Sequence, residues 1–233
     1  MPLEGVDVLR PEAPEGFEPF VELHERLRPE SIEPLLRLDP RFDESRLAQY
    51  APGAASGASV KKEGEKWTLV LVRDLRHPPT KVWKALTDPT QLREWAPFDA
   101  DRNLETKGPA KLTTVGTPTP QISESSVKRA EPPKLLEYSW GENDIRWELA
   151  PHAGGTRLTL WHNIDRRYVA MGAAGWHICF DVLDRFLADD PIGRIVAGDA
   201  MKFGWQRLIA EYAKQFGVEA KNPPSQFNRS TSS

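Results

Sequence analysis

The feature that most constrains the fold is a run of alternating apolar residues in the second half of the chain. Three segments, 134–141, 144–150 and 156–164, carry an apolar side chain at every second position, which is the period of a β-strand with one buried face. The alternating residues are Leu136, Tyr138, Trp140, Ile145, Trp147, Leu149, Leu158 and Leu160. Turn-forming Gly and Pro residues separate the segments. The sequence therefore predicts an antiparallel meander with one strongly apolar face.

Such a face has to be covered, and two amphipathic segments after residue 165 are long enough to cover it. Apolar residues recur at helical spacing from Trp176 to Leu187 and again from Trp205 to Phe216. A break between the two helices is predicted from 189 to 199, because Pro and Gly residues interrupt the pattern there.

Earlier segments complete the predicted order of elements. A strand is predicted at Trp67–Leu75, and two short helices follow, the second opened by Asp88 as cap and Pro89 in the first turn. Further strands are predicted at 111–115 and 121–130. This order predicts an α+β helix-grip fold, in which a curved antiparallel sheet wraps around a long C-terminal helix and an N-terminal extension precedes the domain.

Composition divides the chain into three parts. Residues 1–58 hold 8 of the 21 prolines, none of the 8 tryptophans, and 12 acidic against 6 basic residues, which predicts an acidic, Pro-rich extension ending in a flexible linker over 51–59. Residues 59–217 carry the periodic segments and are expected to fold as one domain. Residues 218–233 are rich in Pro, Ser and Asn and are expected to be a disordered tail.

Charge and composition exclude several classes of function. The net charge of -3 argues against a nucleic-acid partner. No signal peptide is visible in Met1–Arg10, and the longest apolar run, Tyr168–Phe180, is too short for a membrane span, so a cytoplasmic location is expected. The single cysteine, Cys179, excludes a zinc site built from paired cysteines. No metal and no cofactor is predicted.

Several segments carry a family resemblance, in the same order and spacing as in the family. They are His77–Trp83, Ala85–Pro89, Leu92–Trp95, Pro133–Trp140, Trp147–Pro151, Gly154–His162 and Gly175–Leu183. Over about residues 60–217 the chain resembles the START-like (SRPBCC) superfamily, in the branch named after activators of a heat-shock chaperone ATPase. The resemblance implies a hydrophobic cavity between the sheet and the long helix, and it supplies no common catalytic motif. Residues 1–58 resemble nothing in that family.

Candidate site residues follow from which side chains face the predicted cavity. Standard catalytic motifs are absent, and His162 is the one weak catalytic candidate, because its parity places it on the inward face beside Leu160. A hydrogen-bonded structural histidine is the alternative. Cys179 is expected to be a small core hydrophobe. The predicted ligand-binding residues are Trp95, Tyr138, Trp140, Trp147, His162, Trp176 and Phe180.

Three functions remain open at this point. The first is a non-catalytic START-like domain that binds a small hydrophobic or aromatic molecule in its cavity. The second is a cyclase or hydrolase using the same cavity, which requires His162 to converge with Asp165, Tyr138 or Arg146. The third is a chaperone-associated protein-interaction module, with residues 1–58 as a contact arm for a protein partner. Of these, the non-catalytic function is preferred.

Overall fold

The computed structural model describes residues 44–117 and 119–221. The strands are β1 (Ala58–Glu63), β2 (Lys66–Leu75), β3 (Phe98–Ala100), β4 (Gly108–Thr114), β5 (Gln121–Glu131), β6 (Leu135–Trp140), β7 (Asn143–His152) and β8 (Gly155–Asn163). They form one antiparallel sheet in the order β1-β2-β8-β7-β6-β5-β4-β3. The helices are α1 (Glu44–Ala48), α2 (Pro79–Thr87), α3 (Pro89–Trp95), α4 (Val169–Leu187) and α5 (Trp205–Phe216), with short 3-10 turns at Arg166–Tyr168 and Asp199–Phe203. This confirms the predicted helix-grip fold.

The apolar face predicted from the alternation is the face that the helices cover. Leu136 pairs with Trp147, and Trp147 pairs with Leu160, so that inward side chains of β6, β7 and β8 stand side by side. All three are fully buried. The helix α4 lies over this face, and α5 packs against α4 and β1. The core therefore sits between the sheet and α4.

Two strands escaped the sequence analysis. The strand β1 is an edge strand that pairs with β2 alone, and its polar sequence Val60–Glu63 follows a run of Ala, Gly and Ser. Only its first residue, Ala58, is buried, so no apolar alternation marks the strand. The strand β3 has three residues and gives too short a pattern to read.

The connections to and from the sheet follow the predicted signals. Asp88 accepts a hydrogen bond from the backbone N–H of Thr90 at 2.9 Å, and Pro89 occupies the first turn of α3. The predicted break after Leu187 is present, and it separates α4 from α5. Across residues 44–117 and 119–221, no helix combines the length and apolar character that crossing a bilayer requires.

The described end of the predicted extension lies against α4 and α5. Tyr50 is buried, and its hydroxyl donates to Asp181 at 2.9 Å. The backbone N–H of Ala55 donates to Glu211 at 2.8 Å, and the Tyr212 hydroxyl donates to the carbonyl of Ser56 at 2.8 Å. Residues 50–57, here called the strap, are thus held by hydrogen bonds where the sequence suggested a flexible linker.

The remaining domain predictions are not tested by the described residues. The boundary between 58 and 59, with residues 59–217 folding alone, stays a prediction. Most of the predicted extension lies outside the described residues, as does most of the tail 218–233.

We expect Gly155→Ala to destabilise the fold by about 3 kcal/mol, the upper range for overpacking a close contact. A Cβ atom at Gly155 would lie 2.0 Å from the carbonyl oxygen of Leu75 and 3.0 Å from the Cα of Arg76. Both are backbone atoms at the end of the neighbouring strand β2, so β2 and β8 would have to separate. Gly53→Ala is the control, because Gly53 does not have a positive φ and a Cβ there meets nothing within 4 Å. Urea unfolding measures both variants; equal losses would contradict the prediction.

Candidate functional site

A cavity of about 650 Å³ lies between the sheet and the N-terminal half of α4. One wall comes from the ends of β6 and β8, a second from α4, and a third from residues 195–200, which follow the break between the helices. The residues that line the cavity include Trp140, His162, Met171, Gly175, Trp176 and Val196. The cavity therefore occupies the place that the family resemblance implied.

Three of the seven predicted ligand-binding residues line this cavity, and they form one aromatic wall. The Trp140 indole lies 6.0 Å from the His162 ring at an interplanar angle of 29°, which is a stacked arrangement. It also lies 6.0 Å from Trp176 in an edge-on arrangement. The Nε1–H of Trp140 donates to the hydroxyl of Thr114 at 3.2 Å. Trp140, His162 and Trp176 are called the aromatic wall below.

The other four predicted residues do not line the cavity. Trp95, Tyr138, Trp147 and Phe180 are fully buried in the core behind the aromatic wall. The Trp147 indole donates to the Tyr138 hydroxyl at 2.9 Å and packs edge-on against Trp95 at 5.9 Å. Trp147 also packs edge-on against Trp176 at 5.4 Å, so this cluster supports the wall from the inside.

His162 is a buried histidine of the cavity wall, and the strand register explains its burial. It pairs with Leu69 of β2 and Ile145 of β7, both fully buried, and is itself 4% exposed. Its Nδ1 accepts a hydrogen bond from the Trp176 indole at 3.0 Å. Burial lowers the pKa of His162 to about 4, so the ring is neutral at pH 7. Its Nε2 has no hydrogen-bond partner among the described residues.

The groups that an enzyme would need beside His162 are engaged elsewhere. The Tyr138 hydroxyl holds Trp147, and Asp165 binds Arg167 at 2.8 Å. Arg146 lies on the other face of the sheet, with its guanidinium 5.8 Å from the Trp161 ring. Among the described residues, none of these three side chains is hydrogen bonded to His162, so the structure gives no support to the cyclase or hydrolase alternative.

Cys179 lines the cavity but has the character expected of a core residue. Its side chain is 3% exposed, and burial raises the pKa of its thiol to about 12. A thiol with that pKa is almost entirely protonated at neutral pH and is a poor nucleophile. No group of three or more His, Cys, Asp or Glu residues that could hold a metal ion occurs in the part of the chain that the structure describes.

Sequence reasoning missed the small residues that make room for the cavity. Gly175 lies one turn into the lining face of α4, and a Cβ atom there would meet only the Nε1 of Trp205, at 3.8 Å. Residues 170–175 are Ala, Met and Gly, whereas the following turns carry Trp176, Phe180 and Leu183. The change from small to large residues along one helix was the available signal. The wall at 195–200 had no such signal, since it is irregular backbone.

The rim of the cavity is polar and charged. Asp165 and Arg167 form an exposed ion pair there, and Tyr168 beside them is 41% exposed. Because the inner wall is aromatic and the rim is polar and exposed to solvent, the cavity has the layout of a small-molecule site with few polar groups inside.

We expect the burial of neutral His162 to make stability fall at acidic pH. Its pKa is about 4 in the folded protein and near 6.5 in the unfolded chain, so the unfolded state binds the extra proton between those values. From pH 7 to pH 4 the wild type should lose about 3 kcal/mol more than His162→Gln. His177, whose pKa burial also lowers, is present in both proteins and cancels. Parallel pH curves would contradict the prediction.

The family model described as Activator of Hsp90 ATPase homolog 1-like protein matches residues 76–188, from the end of β2 to the end of α4. Residues 76–188 match that family. The predicted START-like relationship is confirmed. The AHSA1-like segment contains the whole aromatic wall, whereas the cavity wall at 195–200 and all of α5 lie after it.

Solved structures agree on the fold of the AHSA1-like domain. A conserved protein of unknown function from Enterococcus faecalis is 16% identical, with a TM-score of 0.52 over 68% of this chain and 89% of that one. The solution structure of CalU16 from Micromonospora echinospora is 22% identical, with a TM-score of 0.51 over 70% of this chain and 95% of that one. At these identities the likeness shows the fold alone. No curated protein matches the sequence.

Proposed function

We propose that this protein is a non-catalytic, START-like binding protein for a small, planar, apolar molecule. The observation that supports this most is a cavity of about 650 Å³ walled by the rings of Trp140, His162 and Trp176. Small-molecule sites are commonly about 300–1,000 Å³ and largely apolar, with few polar groups. An offset stack on an indole adds about 0.5–1.5 kcal/mol beyond the burial of apolar area. A flat aromatic ligand therefore fits better than a flexible chain.

Binding is preferred over catalysis because the buried polar group of the wall is neutral and already hydrogen bonded to Trp176. No acidic or basic side chain is hydrogen bonded to it among the described residues. A cytoplasmic location is part of the proposal, as the sequence analysis expected.

A chaperone-associated interaction module is the second candidate, and the family's name is the observation that favours it. A protein-binding face usually presents a contiguous apolar patch. The large apolar residues exposed on the described surface are Ile122 and Tyr168. Two residues supply little apolar area, so the cavity carries the first proposal. Any contact made through residues 1–58 would be tested separately, by deleting residues 1–43.

The proposed function is tested with 9-fluorenone, a planar tricyclic ketone, titrated into the full chain. We expect saturable, one-to-one quenching of tryptophan fluorescence, which Trp140→Phe and Trp176→Phe weaken about two- to tenfold in affinity. Trp67→Phe is the control, because Trp67 lies outside the cavity, under the ammonium of Lys62 at 4.2 Å. Native mass spectrometry of the purified protein checks the stoichiometry. The absence of saturable quenching would reject the binding function.

A further inference from the structure

The aromatic wall contains one hydrogen-bond donor without a partner. The Nε2 atom of His162 is buried and meets no acceptor among the described residues. A buried N–H that lacks a partner is less stable than one that is hydrogen bonded. Since His162 lines the cavity, an acceptor brought by a ligand would supply that hydrogen bond.

The hydrogen bond on the other side of the ring fixes which nitrogen carries the proton. The indole Nε1–H of Trp176 can only donate, so Nδ1 of His162, 3.0 Å away, must be the nitrogen with the free lone pair. In a neutral imidazole the proton then sits on Nε2. His162 consequently presents an N–H to the ligand and cannot take a proton at that atom.

Resting on the proposed function, we propose that the ligand carries a neutral carbonyl oxygen, which accepts a hydrogen bond from the Nε2–H of His162. This makes His162 the residue that distinguishes a planar ketone, quinone or related carbonyl compound from a plain aromatic hydrocarbon. Because Nε2 is buried, a neighbouring side chain has to turn before a ligand can reach it. Trp140 is suited to that movement, since it stacks on His162 and the structure gives its indole N–H one bond, of 3.2 Å, to Thr114.

The acceptor is a neutral oxygen because, in the part of the chain that the structure describes, no cation is hydrogen bonded to His162. The charged residues that line the cavity are Glu142, Asp165 and Arg167. Arg167 is the one cation among them, and it is exposed at the rim and paired with Asp165 at 2.8 Å. A carboxylate placed against the aromatic wall would lose its hydration without gaining a counter-ion, which is strongly unfavourable.

The test compares 9-fluorenone with fluorene, in which a methylene group replaces the carbonyl. Affinities for both probes are measured by equilibrium dialysis in the full-length wild type and in His162→Phe, which keeps an aromatic ring but has no donor. We expect His162→Phe to lower the affinity for fluorenone about fivefold to tenfold more than the affinity for fluorene, the loss of roughly one hydrogen bond.

A second measurement needs no variant and guards against a misfolded one. Long-range proton–nitrogen spectra of wild-type protein report which ring nitrogen of His162 is protonated. We expect the proton on Nε2, and we expect fluorenone to shift the Nε2 resonance more than fluorene does.

The outcomes separate the two proposals. If both probes weaken equally in His162→Phe, or if the proton is on Nδ1, the carbonyl inference is wrong while the binding function stands. If neither probe binds the wild type, both proposals are wrong.

Discussion

A chain that starts at residue 59 is expected to melt about 10 °C below one that starts at residue 44. The shorter chain lacks the strap and with it Tyr50, an aromatic side chain that is 8% exposed and packs against Phe203 at 5.8 Å. Burying a large side chain of this kind contributes about 1.5–3 kcal/mol. Each hydrogen bond that the strap makes adds about 1 kcal/mol before the entropy of ordering the segment is subtracted.

The groups left behind by the deletion make the effect larger than a lost loop. Asp181 is 15% exposed at its side chain and accepts from both Tyr50 and Arg73, each within 2.9 Å. The Tyr212 hydroxyl bridges Ser56 and His177. A net loss of about 4 kcal/mol corresponds to roughly 10 °C for a domain of this size. Residues 59–217 are still expected to fold, as the sequence analysis predicts, but with much less stability.

Calorimetry of the two chains measures this difference, and Tyr50→Phe in the longer chain is the matched control. That variant keeps the ring and loses only the hydrogen bond to Asp181, so about 1 kcal/mol is expected. Equal melting temperatures for the chains that start at 44 and 59 would show that the strap contributes no stability.

The fold could be predicted because period-2 and period-3.6 patterns determine which faces are buried. Trp140 and Trp147 both fall on the inward face of their strands, as the alternation indicates. Parity states only which face a residue occupies and carries no information on depth. Trp140 ends β6 and reaches the cavity, whereas Trp147 lies midway along β7 and packs in the core.

The parts that the sequence did not predict lack a periodic pattern. The strap has backbone contacts to α5, and backbone groups are the same whatever the residue, so a run of Ala, Gly and Ser reads as a linker even where it is held in place. The cavity is defined by space, and space arises where side chains are small. Gly175 therefore indicates the position of the cavity better than large aromatic residues such as Trp95 and Trp147, which do not line it.

Filling part of the cavity from Gly175 is expected to weaken ligand binding strongly without unfolding the protein. In Gly175→Phe the ring would extend from α4, past the Trp205 indole nitrogen that lies 3.8 Å from the Cβ position, into the cavity that Gly175 lines. Losing about 100 Å² of apolar contact at about 25 cal/mol per Å² reduces affinity for 9-fluorenone roughly a hundredfold. Phenylalanine also has a better helix propensity than glycine, so the melting temperature should fall little.

Gly175→Ala separates the effect of volume from the effect of the backbone. Its Cβ lies 3.8 Å from the Trp205 indole nitrogen, an ordinary contact distance, and it leaves most of the cavity open. This variant should bind 9-fluorenone within about twofold of the wild type. Its stability should rise only by the difference in helix propensity between glycine and alanine. Fluorescence titration and thermal unfolding of both variants measure the two effects independently. If Gly175→Phe is folded and still binds 9-fluorenone as the wild type does, the ligand does not occupy the part of the cavity beside Gly175.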